Sequence, residues 1–283
     1  MSTGPRINFN APAMVNVNRL NQLEKGLMRS MQRVSSGERI TRPADDVAAH
    51  GISEKTRGQI RCLSVASRNV QDGIALINVA EAALNEVHDM LHRMRELGVQ
   101  AANGTQVDLD REFIEVEINK LKEEINFITE NTHYNGHKLL NGTGDWGGSV
   151  RGGHFQIGTT SQANIDYISH RIPKVDTETL GLADMSMATQ EEALEAIDKV
   201  RLAVEQVNGV RASLGGIANR LEHSWRNVDR MVEDNQAFES KLRDVDVAEE
   251  MIYITRDQII HQYCSAMLAQ ANQTPQSILQ LLR

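Results

Sequence analysis

The chain has 283 residues and a net charge of −8, from 30 Lys and Arg against 38 Asp and Glu. Apolar residues make up 40 % of it but aromatics only 4 %, and its five prolines leave residues 44–172 and 174–274 free of that helix breaker. Such a composition excludes an aromatic-rich compact core and a basic nucleic-acid footprint, and it predicts long helices with thin aliphatic seams.

Met1 to Pro12 lacks the apolar segment that a secretory signal needs, so the chain is expected in the cytosol or on an export route that removes no signal peptide. No run of about 18 uncharged apolar residues occurs, and no membrane insertion is expected. A first helix should begin after Pro12, with Val17, Leu20, Leu27, Met31 and Val34 as its stripe. The strongest helical signal runs from about Asn69 to Asn103. There Ile77, Ala80, Leu84, Val87, Leu91, Met94, Gly98 and Ala101 step by three and four, a heptad seam flanked by Leu76, Ala83, Met90 and Leu97. Asn103-Gly104 ends it. A second helix is predicted from about Asp110 to Thr129 on Ile114, Ile118, Leu121, Ile125 and Ile128.

Asn135 to Phe155 is rich in glycine and reads as turns, with short strands at Phe155–Ile157 and Ile165–Ile168 forming a hairpin. Thr189 and Glu192 have capping-box spacing and open another long helix, whose seam runs Ile197, Val200, Val204, Val207, Arg211, Leu214, Ala218, Leu221, Trp225, Val228 and Val232. The C-terminal stretch carries Ile252, Ile259 and Ala266, broadened by Met251 and Met267. Terminal helices of this kind are marginal alone, since an apolar face must pack on something to hold them. The fold class expected is mainly α, a long antiparallel coiled-coil-like bundle with a small β-hairpin, in which residue i lies roughly beside residue 284 − i.

Side chains that suggest chemistry are few. His88 and His92 are four apart but lack the intervening glutamate of His-Glu-x-x-His, and are read as surface residues. Cys62 and Cys264 are too few for a disulfide scaffold, and the hairpin register separates them by about forty helical residues, roughly 60 Å. Asn103-Gly-Thr, Asn141-Gly-Thr and Asn272-Gln-Thr are read as turn chemistry and chance. No nucleophile–base pair, phosphate loop or metal constellation appears, so neither an enzyme nor a cofactor is expected.

Several long segments, in order, resemble bacterial flagellins over roughly residues 6–158 and 190–283. They include Ile7-Asn8-Phe9-Asn10, Val34-Ser35-Ser36-Gly37-Glu38-Arg39-Ile40, Pro43-Ala44-Asp45-Asp46 and the run from Arg93 to Thr105. Tyr134-Asn135-Gly136, Leu214-Gly215 to Glu222, Ala266-Met267-Leu268-Ala269-Gln270-Ala271-Asn272 and Leu281-Leu282-Arg283 complete the set. The resemblance implies a structural subunit that polymerises into the flagellar filament for motility. It implies a terminal helical domain lining the filament core (1–45 with 240–283), a long-helix domain (46–140 with 179–239) and a short glycine-rich, β-hairpin insert (141–178), with no separate outer domain.

By the same resemblance, Val17, Leu20, Leu27, Met31, Val34, Ile252, Ile259, Met267 and Leu268 serve inner-domain assembly. Arg93, Leu97, Gln100 and Glu117 pack subunits and form a candidate surface for the flagellin-sensing Toll-like receptor. Pro43, Asp45, Asp46 and His50 form the joint between domains; Val47-Ala-Ala-His50-Gly51 departs from the family's usual Ala-Ala-Gly-Leu-Ala. The implied partners are other copies of the chain, the type III export apparatus, an export chaperone on the C-terminal helix, and hook-associated and cap proteins. The implied location is the secreted, external filament, or a periplasmic one. Alternatives are a hook–filament junction protein, a minor flagellin or a cytoplasmic signalling hairpin.

Overall fold

The structure, a computed structural model, describes residues 10–142, 153–160 and 166–281. Ile7–Phe9, Ile165, Leu282, Arg283 and most of the glycine-rich run lie outside the described residues. The elements in chain order are α1 (Ala11–Ser36), α2 (Val47–Ala101), α3 (Asp108–Asn131), β1 (His133–Tyr134), β2 (His137–Lys138), β3 (Gly153–Gln156), β4 (Tyr167–His170), α4 (Gln190–Arg243) and α5 (Val247–Leu281). The mainly α class with a small hairpin is what the structure shows. The chain divides into two compact units, one of residues 1–58 with 234–283 and one of residues 59–233.

The central unit holds the aliphatic core. Every seam residue of α2 from Ile77 to Ala101 is buried, Ile77 at 1 % exposure and Ala80, Leu84, Val87, Leu91, Met94 and Ala101 at 0 %. Ile114, Ile118 and Ile125 of α3 and Val200, Val207, Leu214 and Leu221 of α4 join them in one cluster. Small residues Ala193, Ala196 and Ala203 are buried on α4 as well, which lets its neighbours approach closely. Gly215 and Gly216 leave α4 unbroken. Thr189 and Glu192 make both bonds of the capping box, each at 3.3 Å. At the far end of α2, the buried Arg111 of α3 donates to the carbonyls of Ala101 and Asn103 and pairs with Asp108. It thereby satisfies acceptors that a helix C-terminus leaves open.

The hairpin of β3 and β4 pairs Phe155 with Ile168 and His154 with Ser169. Phe155 and Ile168 are buried, so one face of the hairpin points into the core. Gly73 of α2 makes that possible, because a Cβ there would sit 2.8 Å from the Phe155 ring. Asn135 and Gly136, both at positive φ, turn β1 into β2, the backbone that an Asn-Gly hairpin turn requires. Residues 171–189 have no regular structure beyond turns, yet Ile172, Val175, Leu180, Leu182, Met185 and Met187 are buried in the cluster. This strap is tied to α3: Thr129 Oγ1 donates to Val175 O at 2.6 Å, and Lys122 Nζ to Met185 O at 2.6 Å.

Three expectations are corrected. The first helix starts at Ala11 and includes Pro12, because a proline in the first turn lacks only an N–H that would be unpartnered anyway; the Asn10 side chain caps it through Ala13 N at 3.2 Å. The long helix read from about Asn69, α2, begins at Val47, with Asp46 Oδ1 accepting Ala49 N at 3.0 Å. Its first turns show no apolar seam because, after the small Ala49, the buried positions are Ser53 and Thr56, whose hydroxyls bond back to His50 O and Ile52 O. The single register also shifts along the chain. In the terminal unit Glu38 pairs with Asp244, close to 284 − i, but in the central unit Trp225 rather than Ile217 meets Ser67, at 3.1 Å.

Candidate assembly surfaces

The terminal unit is built differently. No residue of α1 is buried. Its half-buried row of Ala13, Asn16, Leu20, Leu23, Leu27, Ser30 and Val34 recurs at three and four, and the helix packs on α5. Among the described residues of α5, Glu250, Ile254 and Cys264 are buried. Polar contacts tie the pair along its length. Asn10 Nδ2 donates to Ala271 O at 2.8 Å, Arg33 meets Glu250 at 3.6 Å, and Gly26 leaves room for the Asp257 carboxylate.

The stripes read from sequence therefore split. Leu20, Leu27, Val34 and Leu268 are half-buried between the helices. Val17 (41 % exposed), Met31 (49 %), Ile252 (68 %), Ile259 (61 %) and Met267 (41 %) face outward, joined by Met14, Val15, Met28, Met251, Tyr253 and Tyr263. Ile252 and Ile259, with Met251, Thr255, Arg256 and Ile260, line an apolar cleft along α5. These apolar faces are wider than the stripe that the pairing of α1 with α5 covers.

Pro43, Asp45 and Asp46 form the turn that leads into α2. Asp45 accepts Arg42 N at 3.1 Å and the Thr41 hydroxyl at 3.2 Å, and the Arg42 backbone bond leads in holding its carboxyl below the usual range. His50 is half-buried inside α2, with Nδ1 buried and unpartnered, rather than in a linker. The division between units falls at Gly58 and Glu233, along the helices, so residues 43–50 all belong to the terminal unit.

Sequence reading missed a second contact there. Arg243 donates to Glu38 at 3.1 Å and Glu54 at 3.3 Å, while Arg39 N donates to Arg243 O and Val245 N to Gly37 O. Glu38 leads in holding the Arg243 guanidinium firmly charged. Glu38 and Arg39 lie in the Ser-Ser-Gly-Glu-Arg segment, so that motif was visible; its distant partner was not.

On the central unit, Arg93 of α2 and Glu117 of α3 form a two-pronged ion pair, Nε to Oε1 at 3.0 Å and Nη2 to Oε1 at 2.9 Å, with Glu96 3.3 Å from Nη1. The Glu117 bond is the main reason the Arg93 guanidinium is held charged. Gln100 is exposed beside it. Leu97 does not belong to that surface: at 2 % exposure its side chain is part of the core, because it also lies on the flanking apolar row of α2. Leu109, Phe113, Val116 and Phe127 form an exposed apolar row on α3, on the side opposite Ile114, Ile118 and Ile125. Both cysteines are free, and among the described residues no group of three or more His, Cys, Asp or Glu side chains converges on a metal position. No described helix is long and apolar enough to cross a membrane.

A helical subunit with one well-packed unit, a second unit that is mostly surface, and long apolar rows left uncovered has the makings of a polymer-forming structural protein. The comparisons give the particular family. The bacterial flagellin N-terminal helical region matches residues 7–145 and the bacterial flagellin C-terminal helical region matches residues 194–282. A flagellin of Halalkalibacterium halodurans is 45 % identical, covering 98 % of this chain and 99 % of its own length. Flagellin FlaB2 of Treponema pallidum is 39 % identical at the same coverage. Among solved structures, a putative flagellar hook-associated protein from Vibrio parahaemolyticus shares the fold at TM-score 0.54 and 18 % identity, covering 71 % of this chain and 98 % of that one. The chain belongs to the bacterial flagellin family. It is a structural, non-enzymatic subunit that polymerises with its own kind into the flagellar filament.

Proposed function

We propose that the terminal unit, residues 1–45 with 240–283 at its heart, forms the inner wall of the filament, and that α1 and α5 complete their folding only on assembly. The observation that carries this is the outward apolar row on both helices of a unit with so few buried residues. Val17 and Met31 on α1, with Ile252, Ile259 and Met267 on α5, pack against neighbouring subunits, while Leu20, Leu27, Val34 and Leu268 hold the helix pair together. A contact that joins different faces of successive copies does not close on itself and propagates a helix.

The central unit packs subunit to subunit, and the exposed row of α3 is available for it. The joint to the central unit runs along α2, whose start is set by the turn at Pro43, Asp45 and Asp46 and whose first turn carries His50. Before assembly the chain passes the type III export apparatus with a chaperone on its C-terminal helix, whose apolar cleft supports that use. Hook-associated and cap proteins bound the filament at its ends. Arg93, Gln100 and Glu117 form an exposed polar group that the Toll-like receptor can read, without Leu97. The filament is external to the cell; the spirochaete relative, FlaB2, is the reason to test a periplasmic one.

The test is electron microscopy of the purified chain under polymerising conditions, beside truncations lacking residues 1–40 or 245–283. The full chain should give tubes with a central channel and the truncations none, with residues 70–230 still helical by circular dichroism. Filaments growing normally from either truncation would overturn the reading.

A further inference from the structure

His88 and His92 lie one turn apart on α2 and take no part in the core or in the surfaces above. Nε2 of His92 and Nε2 of His88 share a hydrogen bond of 2.9 Å, so one of them carries a proton that an ion bound to both would displace, that ring then shifting its proton to Nδ1. The ring centroids are 4.4 Å apart and the planes meet at 80°. His92 is exposed and His88 half-buried. Nδ1 of His88 is buried without a partner, so Nε2 is the nitrogen this ring offers to its surroundings.

We propose that His88 and His92 form a two-imidazole chelate for a divalent transition ion of the nickel and copper type. The spacing selects the ion. Metal–imidazole bonds of about 2.0–2.1 Å to nitrogens 2.9 Å apart enclose about 90°. That is the cis angle of tetragonal and octahedral coordination, which suits Ni(II) and Cu(II), and it is narrower than the tetrahedral angle of a zinc site. Among the described residues no third ligating side chain makes a group with the pair, so water fills the other positions. In the ligating tautomer each ring carries its proton on Nδ1, which in His88 is the unpartnered buried atom. Arg211, 3.9 Å from Glu81, adds a positive charge nearby. Both effects keep the affinity modest. Because the chelate spans a turn that exists only in the folded helix, binding stabilises the folded chain.

The test uses the full chain, stripped with a chelator and kept monomeric, titrated with Ni(II) or Cu(II) by calorimetry and followed by thermal unfolding. One ion per chain should bind, with a rise in Tm. His92→Ala, an exposed change that spares the core, should weaken binding about tenfold or more and remove the rise. His133→Ala should leave both unchanged, and the Cu(II) electron paramagnetic resonance of the parent chain should show coupling to two nitrogens. Equal affinity and an equal rise in Tm for His92→Ala, or no rise in the parent chain, would overturn the proposal. The outcome is independent of whether filaments form.

Discussion

Arg111 is the clearest case of a single side chain holding two elements together. It is 7 % exposed, and its guanidinium closes the C-terminus of α2 from the first turn of α3. Arg111→Ala should destabilise the central unit by about 2–3 kcal/mol, because it removes charged hydrogen bonds and leaves the buried Ala101 carbonyl without this donor; denaturant unfolding of the monomer reads this directly. His170 makes a different prediction. Burial lowers its proton affinity in the folded chain, and its Nε2 is buried without a partner. Below about pH 6.5 the unfolded chain therefore binds more protons than the folded one, so stability falls as pH drops through that range. The denaturation midpoint should be lower at pH 5.5 than at pH 7.5, and His170→Gln should shrink the difference. His88 adds a contribution of the same sign.

At the scale of elements, the core helices were legible because aliphatic residues at alternating spacings of three and four have no other economical explanation. All of the α2 seam is buried as that pattern requires. The pattern was silent where burial is polar, at Ser53 and Thr56, and where it depends on a distant partner, as in the strap over α3 that Thr129 and Lys122 hold. It could not sort the two sides of α1 and α5 either, since both carry apolar residues and only packing decides which side faces in. Leu97 shows the opposite failure: a residue counted both as core and as surface is core. Gly215 and Gly216 give an element-level test. A Cβ at either meets nothing within 4 Å, and both lie inside α4. Gly215→Ala and Gly216→Ala should each raise stability by about 0.5–1 kcal/mol by thermal or denaturant unfolding, as the penalty for glycine in a helix is removed.

At the scale of the whole molecule, the two units divide the work of being a subunit. The buried aliphatic clusters belong to residues 59–233, whereas the terminal unit leaves Val17, Met31, Ile252, Ile259 and Tyr263 in solvent. On the proposed assembly, few aromatics and long proline-free stretches describe a chain that keeps one core for itself and gains the rest of its burial from its neighbours. Local opening should be easiest where buried apolar contacts are fewest. Amide hydrogen exchange, compared between monomer and assembled filament, measures this most directly. Amides of α1 and α5 should exchange quickly in the monomer and become strongly protected in the filament, while those of α2 from Ile77 to Ala101 are protected in both. Equal protection of α1 and α5 in the two states would contradict the claim that assembly completes their folding.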